Sequence, residues 1–489
     1  MTKVLNYKLE LYSEEANQAF AQILNGDNVE GKEFKGLVEA QNKLNNLFAD
    51  YLSKRETVEQ KISFLVELKI KILDVKIIEV LVPTDEDAYL IFEAVNDRGA
   101  DLGAAELLKN YLFSKTSDKS LQIEIHQEWQ KIKKTLLEVN KGSLDMTSFL
   151  RYYWIGAYEH TTKKALYSGF KKRINNKNST LVIAPDRVLQ EIQEFRNCIE
   201  EIFLYRFDDW HQIFINLNSD DGNEKRIIRR ATEWFSYKRN LLYFPKSIQF
   251  LPVYAAIIRN LDKINLKDKS FIDLFIEIEK INFVYSYLLQ KPTNRIDTIF
   301  SSIGREIFSV IILNGKEANI QSVIQKSITI LNKFLRDNVT KDEVYKAVAN
   351  LSYKQISDKQ IINFILVNLE YFQGGYVRLL EDNLTKDHIY PQSVEKKGAI
   401  LDWPKLDFDY KKFGHGLGNL TLLASDGPQA NGSAEEKAFL IKRDDFYLKS
   451  PFIINQYFRD IEQWGGNEIM FRLKYIQDLV WERWGYLET

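Results

Sequence analysis

The chain has 489 residues, 45% of them hydrophobic and 13% aromatic, with a formal net charge of −1. That length is too great for one ordinary core and implies two or three domains, which the apolar content is ample to fill. Near-neutrality excludes a uniformly basic nucleic-acid coat but not a local basic groove. The single cysteine, Cys198, excludes a disulfide framework and a Cys-type zinc site. No apolar run is long enough to span a bilayer. The opening MTKVLNYKLELYSEE lacks the apolar stretch of a signal peptide. A reducing cytoplasm and no membrane partner are therefore expected.

Residues 8–25 read as an amphipathic opening, and 33–75 are rich in helix formers, with Leu44, Leu47, Phe48, Tyr51 and Leu52 at helical spacing. VKIIEVLV, 75–82, is short and β-branched, the pattern of a buried strand. Pro83 ends it, and Thr84 or Asp85 can cap a helix running to Val95. NDRG, 96–99, is a turn, because Asn and Gly tolerate the left-handed region. AAELLKNYLF, 104–113, is a second helix.

From 115 to 350 the periodicity is helical, as in LQIEIHQEWQKIKKTLLEV and SFIDLFIEIEKINFVYSYLLQ, without a fixed-period repeat. This is a bundle in which Trp129, Trp154, Trp210 and Trp234 serve packing. It carries two basic clusters, Lys171-Lys172-Arg173, and Lys225-Arg226 with Arg229-Arg230 followed by Lys238-Arg239. A solvated helix face is the commoner meaning of either; phosphate contact is the functional one. After 350 the composition shifts: a helix, DKQIINFILVNLEYF, meets a Gly-Gly break at 374–375, and short strand-like pieces with Gly-rich turns follow. The expected fold is mainly α with small α+β parts, divided as 1–115, 116–350 and 351–489.

The last part holds an ordered constellation: DHIYPQ at 387–392, HGLGNLTLLA at 415–424, DGPQANGS at 426–433, and AEEKAFLIKRDDFY, 434–447, a helix with Ser433 as its N-cap. The fitting chemistry is metal-assisted phosphodiester hydrolysis. Imidazole suits a base that activates water, its unperturbed pKa being ~6.5. Mg²⁺ takes oxygen ligands, and one or two from protein suffice because water and phosphate supply the rest. Asp387 is a carboxylate beside His388, and Asn431 offers a second oxygen. Adjacent strand residues point to opposite sides, so Asp387 and His388 address one site only if the backbone bends there; Pro391 marks the turn. Asn419 can hold the loop around His388 through backbone hydrogen bonds.

DHIYPQ, then GNLTLL, then an Asn, then a helix resembles the ββα-metal, or HNH, endonuclease motif. The resemblance implies His388 as general base, Asp387 and Asn431 on the metal side, Asn419 as the structural asparagine, and Mg²⁺ or Mn²⁺ as the ion. GNLTLLAS followed by N-G and an F-x-x-K-R helix is similar, more narrowly, to the C-terminal nuclease domain of GmrSD-type modification-dependent restriction enzymes. That likeness places His415 and Lys442 or Arg443 near the phosphate.

IFEAVNDRGADLGAAELLKNYLF, 91–113, resembles the ParB-like N-terminal domain of the same family, with Phe92, Glu93, Asn96, Arg98, Gly99, Leu102, Glu106, Leu107 and Lys109 matching. Asn96, Arg98 and Lys109 are the nucleotide- or phosphate-binding candidates, against a turn that only joins two helices. The Asp-Gly-Gln-Gln-Arg signature of that domain is absent. Residues 1–115 therefore resemble a partial ParB-like region. Its other half comes from a partner polypeptide, or the start is truncated, or nucleotide hydrolysis has been lost. Together these features imply a metal-dependent DNA endonuclease of a prokaryotic restriction or anti-phage system. It would cut foreign DNA, modified phage DNA included, and use a nucleotide only with a completing partner. The alternative is a non-cleaving DNA-sensing or regulatory subunit, and RNA is left open as a substrate.

Overall fold

The computed structural model describes residues 14–27, 29, 35–76, 81–82, 91, 103–116, 118–139, 144–175, 183–217, 224–244, 248–259, 270–314, 320–374, 384–394, 403, 409–425 and 436–486. The chain gathers into two compact units, Met1–Leu150 with Thr162–Glu200, and Arg151–Thr161 with Glu201–Thr489. It is mostly helical, with a single two-stranded sheet among the described residues.

The first unit opens with α1 (Glu14–Asn25), α2 (Lys35–Ser53) and α3 (Val58–Leu73). The helix-forming stretch breaks at Lys54 and restarts at Thr57. The Thr57 side chain accepts from the Gln60 N–H, and the Gln60 side chain accepts from the Thr57 N–H, so two donors of the new helix end are satisfied reciprocally. The helical spacing of 33–75 yields helices but not a core among the described residues: Leu44 is 67% exposed, and α3 buries no residue. The strand expected over 75–82 falls largely outside the described residues, as do the helix to Val95 and the NDRG turn. α4 (Ala104–Ser114) lies where a helix is expected and packs on α5 (Lys119–Val139) and α7 (Leu166–Asn175). α6 (Met146–Ala157) and α8 (Pro185–Phe203) meet through an edge-on Phe149–Phe195 pair. The buried Glu128 carboxylate is neutralised by Arg196, which also holds Glu200.

The second unit contains α9 (Phe207–Leu217), α10 (Glu224–Leu242), α11 (Leu251–Ile258), α12 (Ser270–Lys280) with its π-helical continuation Ile281–Leu288, α13 (Asn294–Asn314), α14 (Ile320–Asn338), α15 (Lys341–Asn350) and α16 (Ile356–Phe372). LPVYAAII leaves α11 no polar face, and all eight of its residues are buried. Gly304 of α13 permits the close approach, since a Cβ there would lie 2.8 Å from the Pro252 carbonyl oxygen. Trp210 and Trp234 pack in this core with their rings tilted by 48° and centroids 5.1 Å apart.

Buried α16 leads to the sheet. β1 (Leu384–His388) pairs antiparallel with β2 (Leu420–Ala424), Asp387 opposite Thr421 and His388 opposite Leu420. Between them lie α17 (Tyr410–Phe413), capped by Asp409, and a 3₁₀ turn, Leu417–Asn419. The helix expected from 434 begins later: α18 covers Phe439–Ile441 and widens into a π-helical turn over Lys442–Tyr447. Ser433 is outside the described residues, and the residue preceding the first helical turn is Ala438. The widened turn carries an i→i+5 bond from Leu448 N–H to the Arg443 carbonyl, 2.9 Å. Residues five apart then share a face, and Lys442 and Tyr447 are both fully buried. A second 3₁₀ turn, Ile453–Phe458, is capped by the Glu370 carboxylate, which accepts from the N–H groups of Ile453 and Ile454 at 2.8 and 2.7 Å.

The last helix, α19 (Gly466–Trp484), presents Ile469, Arg472, Leu473, Ile476, Val480 and Trp484 on one buried face. Glu279 anchors its end, accepting from Asn240, Arg483 and Trp484 at 3.0, 2.8 and 2.8 Å.

Candidate active site

His388 ends β1, 7% exposed, with its Nε2 3.1 Å from Nδ1 of His415, which is 2% exposed. Rings of Tyr353 and Tyr410 stand edge-on to His388 and His415. The Tyr353 N–H holds the His415 carbonyl at 2.8 Å. In this bond one imidazole nitrogen carries the proton and the other accepts it. The pair can take up one proton and keep the bond; a second would set two donors face to face.

Asn419 fastens the backbone on both sides of this pair. Its Nδ2 donates to the carbonyls of Tyr390 (3.0 Å) and Gly414 (2.9 Å), and its Oδ1 accepts from Tyr390 N–H (2.8 Å) and Trp464 Nε1–H (3.0 Å). Both partners of Oδ1 are obligate donors, so the orientation of the amide is fixed by chemistry. The Asn419 carbonyl takes the Ile389 N–H at 2.9 Å, continuing the ladder one step past the strand.

The 3₁₀ turn that carries Asn419 is set by α19. A Cβ on Gly418 would collide with the Ile469 carbonyl, so the turn lies flat on the helix. Arg472, fully buried, donates to the carbonyls of Leu417 and Leu420 and to Thr421 Oγ1. Burial pushes its guanidinium down to about 10. Asn455 bonds Thr421 and the Leu422 carbonyl from the other flank.

Asp387 and His388 meet different partners, as strand alternation requires. The Asp387 Oδ2, on a residue 2% exposed, takes Lys442 Nζ at 3.0 Å and the Tyr447 hydroxyl at 2.5 Å. Burial, and then the charge of Asp387, holds the Tyr447 phenol well above its ordinary range, so it remains a donor. Lys442 Nζ also reaches the carbonyls of His388 and Ile389 at 2.7 and 3.2 Å. Among the described residues no three His, Cys, Asp or Glu side chains gather as a metal site. Asn431, expected on the metal side, lies outside them. Asp387 Oδ2 is engaged by an ammonium and a phenol, so a divalent ion at this carboxylate would have to be held through its other oxygen together with groups outside the described residues.

The other expected positions are more dispersed. Arg443, expected near the phosphate, turns to the Ile461 carbonyl, Asp444 and Glu462. Lys109 is half-buried on α4, its Nζ 5.8 Å from the Phe113 ring centre. Glu106 pairs with Lys133 at 3.3 Å. Asn96 and Arg98 lie outside the described residues. Lys171, Lys172 and Arg173 sit on α7 in the first unit, with Lys172 exposed. Arg226, Arg229 and Arg230 sit on α10 in the second unit, where Arg229 is exposed and 3.9 Å from Glu233.

Three buried contributors carry no motif of their own, Asn455, Trp464 and Arg472, and Tyr447 ends the AEEKAFLIKRDDFY stretch without a role assigned from it. Arg472 had one legible signal, an arginine on the apolar stripe of the last helix. No described helix is long and apolar enough to cross a membrane.

Two family models match the chain. That for the N-terminal domain of GmrSD restriction endonucleases covers residues 2–113, and that for their C-terminal domain covers 338–478. No curated protein matches.

Proposed function

The chain belongs to the family of GmrSD restriction endonucleases, and is thus a nuclease of a restriction system; from that premise we propose that it is an HNH-type, or ββα-metal, DNA endonuclease with His388 as general base. Water attacks the scissile phosphorus, His388 takes the water's proton, and the P–O ester bond breaks as the new one forms, the leaving oxygen taking a proton from solvent. The carrying observation is His388 at the end of β1, hydrogen-bonded to His415 and followed at once by a turn that Asn419 fixes. Mg²⁺ or Mn²⁺ is the cation this chemistry calls for, and nicking of plasmid DNA that stops with EDTA tests that part. His388→Ala should lower the nicking rate by ~10²–10⁴ if the residue is the base.

The proposal gives residues 1–115 a ParB-like role, completed by a partner chain that supplies nucleotide binding. Exposed apolar side chains along α2 and α3, among them Leu44, Ile62 and Leu73, support a covering partner. Nicking by the chain alone, compared with nicking in the presence of the adjacent gene's product, tests it. A second reading, a DNA-sensing or regulatory subunit that does not cut, is favoured by the engagement of Asp387 with Lys442. It requires DNA binding with a steep salt dependence and no His388-dependent product.

A further inference from the structure

Resting on the nuclease reading for its functional meaning, we infer that Lys442 is a positioning residue: its ammonium is an internal cation that holds the bend after β1, and so sets His388, rather than a phosphate contact. Successive carbonyls of a strand point to opposite edges. Those of His388 and Ile389 instead converge on one nitrogen, at 2.7 and 3.2 Å, so the chain has left the strand course there. Asp387 Oδ2 supplies the third oxygen at 3.0 Å. Three N–H bonds of an ammonium meet three oxygens. Tyr447 donates to the same Oδ2 at 2.5 Å and fixes the carboxylate in turn.

The opposite side of the bend is held by Asn419, through Tyr390 N–H at 2.8 Å and the Tyr390 carbonyl at 3.0 Å. The bend is thus clamped from two sides, with His388 at its start. The π-helical turn is what brings both Lys442 and Tyr447 inward. An ammonium at 0% exposure, bonded within the fold, cannot reach a phosphate without dismantling this clamp.

The test uses the full chain as wild type, Lys442→Met and Lys442→Arg. Arginine keeps the charge, but its planar group cannot converge on three oxygens as an ammonium does. Two readouts are independent of cleavage. The first is amide hydrogen exchange of Ile389 and Tyr390, both bonded to Asn419. It should quicken roughly tenfold or more in Lys442→Met and in the same direction in Lys442→Arg, while α12 keeps wild-type protection. The second is the salt dependence of plain duplex binding in EDTA. Its slope should match wild type, whereas loss of a phosphate contact lowers it by about one. Cleavage should fall in both variants. A slope reduced by about one with unchanged exchange overturns the inference, as does wild-type exchange in both variants. If Lys442→Met fails to fold, Lys442→Arg decides alone. A wild-type chain that never cuts defeats the nuclease reading, while exchange and slope still decide the role of Lys442.

Discussion

Removing the Asn419 side chain should unfasten the site more than any other single truncation in the hairpin. Asn419→Ala deletes four side-chain hydrogen bonds, to the Tyr390 and Gly414 carbonyls and from Tyr390 N–H and Trp464 Nε1–H, at a position with no exposure. A buried polar group left without a partner costs about 1–3 kcal/mol. The two carbonyls can find water in the hole, so the total should be roughly 3–5 kcal/mol rather than the full sum. Trp464→Phe deletes one donor and leaves Oδ1 bonded to Tyr390 N–H, which should cost about 1 kcal/mol. Once Asn419 is gone the indole has lost its partner, so the two losses should fall short of additivity by about 1 kcal/mol. Two compact units make a single global melt a poor readout. Amide exchange across Ile389–Tyr390 and β2 reports the local free energy instead. Strict additivity, or a loss below about 1 kcal/mol for Asn419→Ala, would refute the reasoning.

Further outcomes follow from the same structure. Arg472→Leu strands the carbonyls of Leu417 and Leu420 and should destabilise the second unit by roughly 3 kcal/mol or more, with Arg472→Lys a poor rescue, both read by urea unfolding. Lys238 is 3% exposed, hydrogen-bonded to the Tyr205 carbonyl and flanked by Trp210 and Phe235; burial nonetheless pushes its amine down to about 8. Between that value and the unfolded ~10.4 the unfolded chain holds the proton that the native chain has released, so this group makes stability rise with pH across the window. The advantage of Lys238→Met over wild type, at most about 3 kcal/mol below pH ~8, should therefore shrink by pH ~10, and a constant difference in the unfolding free energy of the second unit would contradict it. Arg443→Ala should leave the salt slope of DNA binding unchanged, because Arg443 faces Asp444 and Glu462.

The site was more legible than the fold around it. DHIYPQ and GNLTLL carry their chemistry in consecutive residues, and a hairpin brings His388, His415 and Asn419 together from positions 27 and 31 apart in sequence. Periodicity exposed α4 and the helices of both units, since burial on one face imposes a period. It did not reveal whether the stripe on α2 is covered, because spacing states which residues share a face and not what meets it. The helix over 434–447 starts late and turns π-helical, a local widening with no propensity signature. Asp387 illustrates the same limit. Its place beside His388 gives no hint of the Lys442 and Tyr447 that hold its Oδ2, 55 and 60 residues away. Trp464 and Asn455 act through long-range hydrogen bonds to the loop and strand, which leave no pattern in a linear sequence.

The central claim is tested most directly by incubating wild type and His388→Ala, each with matching native amide exchange, with plasmid and phage DNA in Mg²⁺ or Mn²⁺ and in EDTA. Metal-dependent nicking by wild type, reduced ~10²–10⁴ in His388→Ala, is the expected result. Equal nicking by the two proteins would contradict His388 as the base.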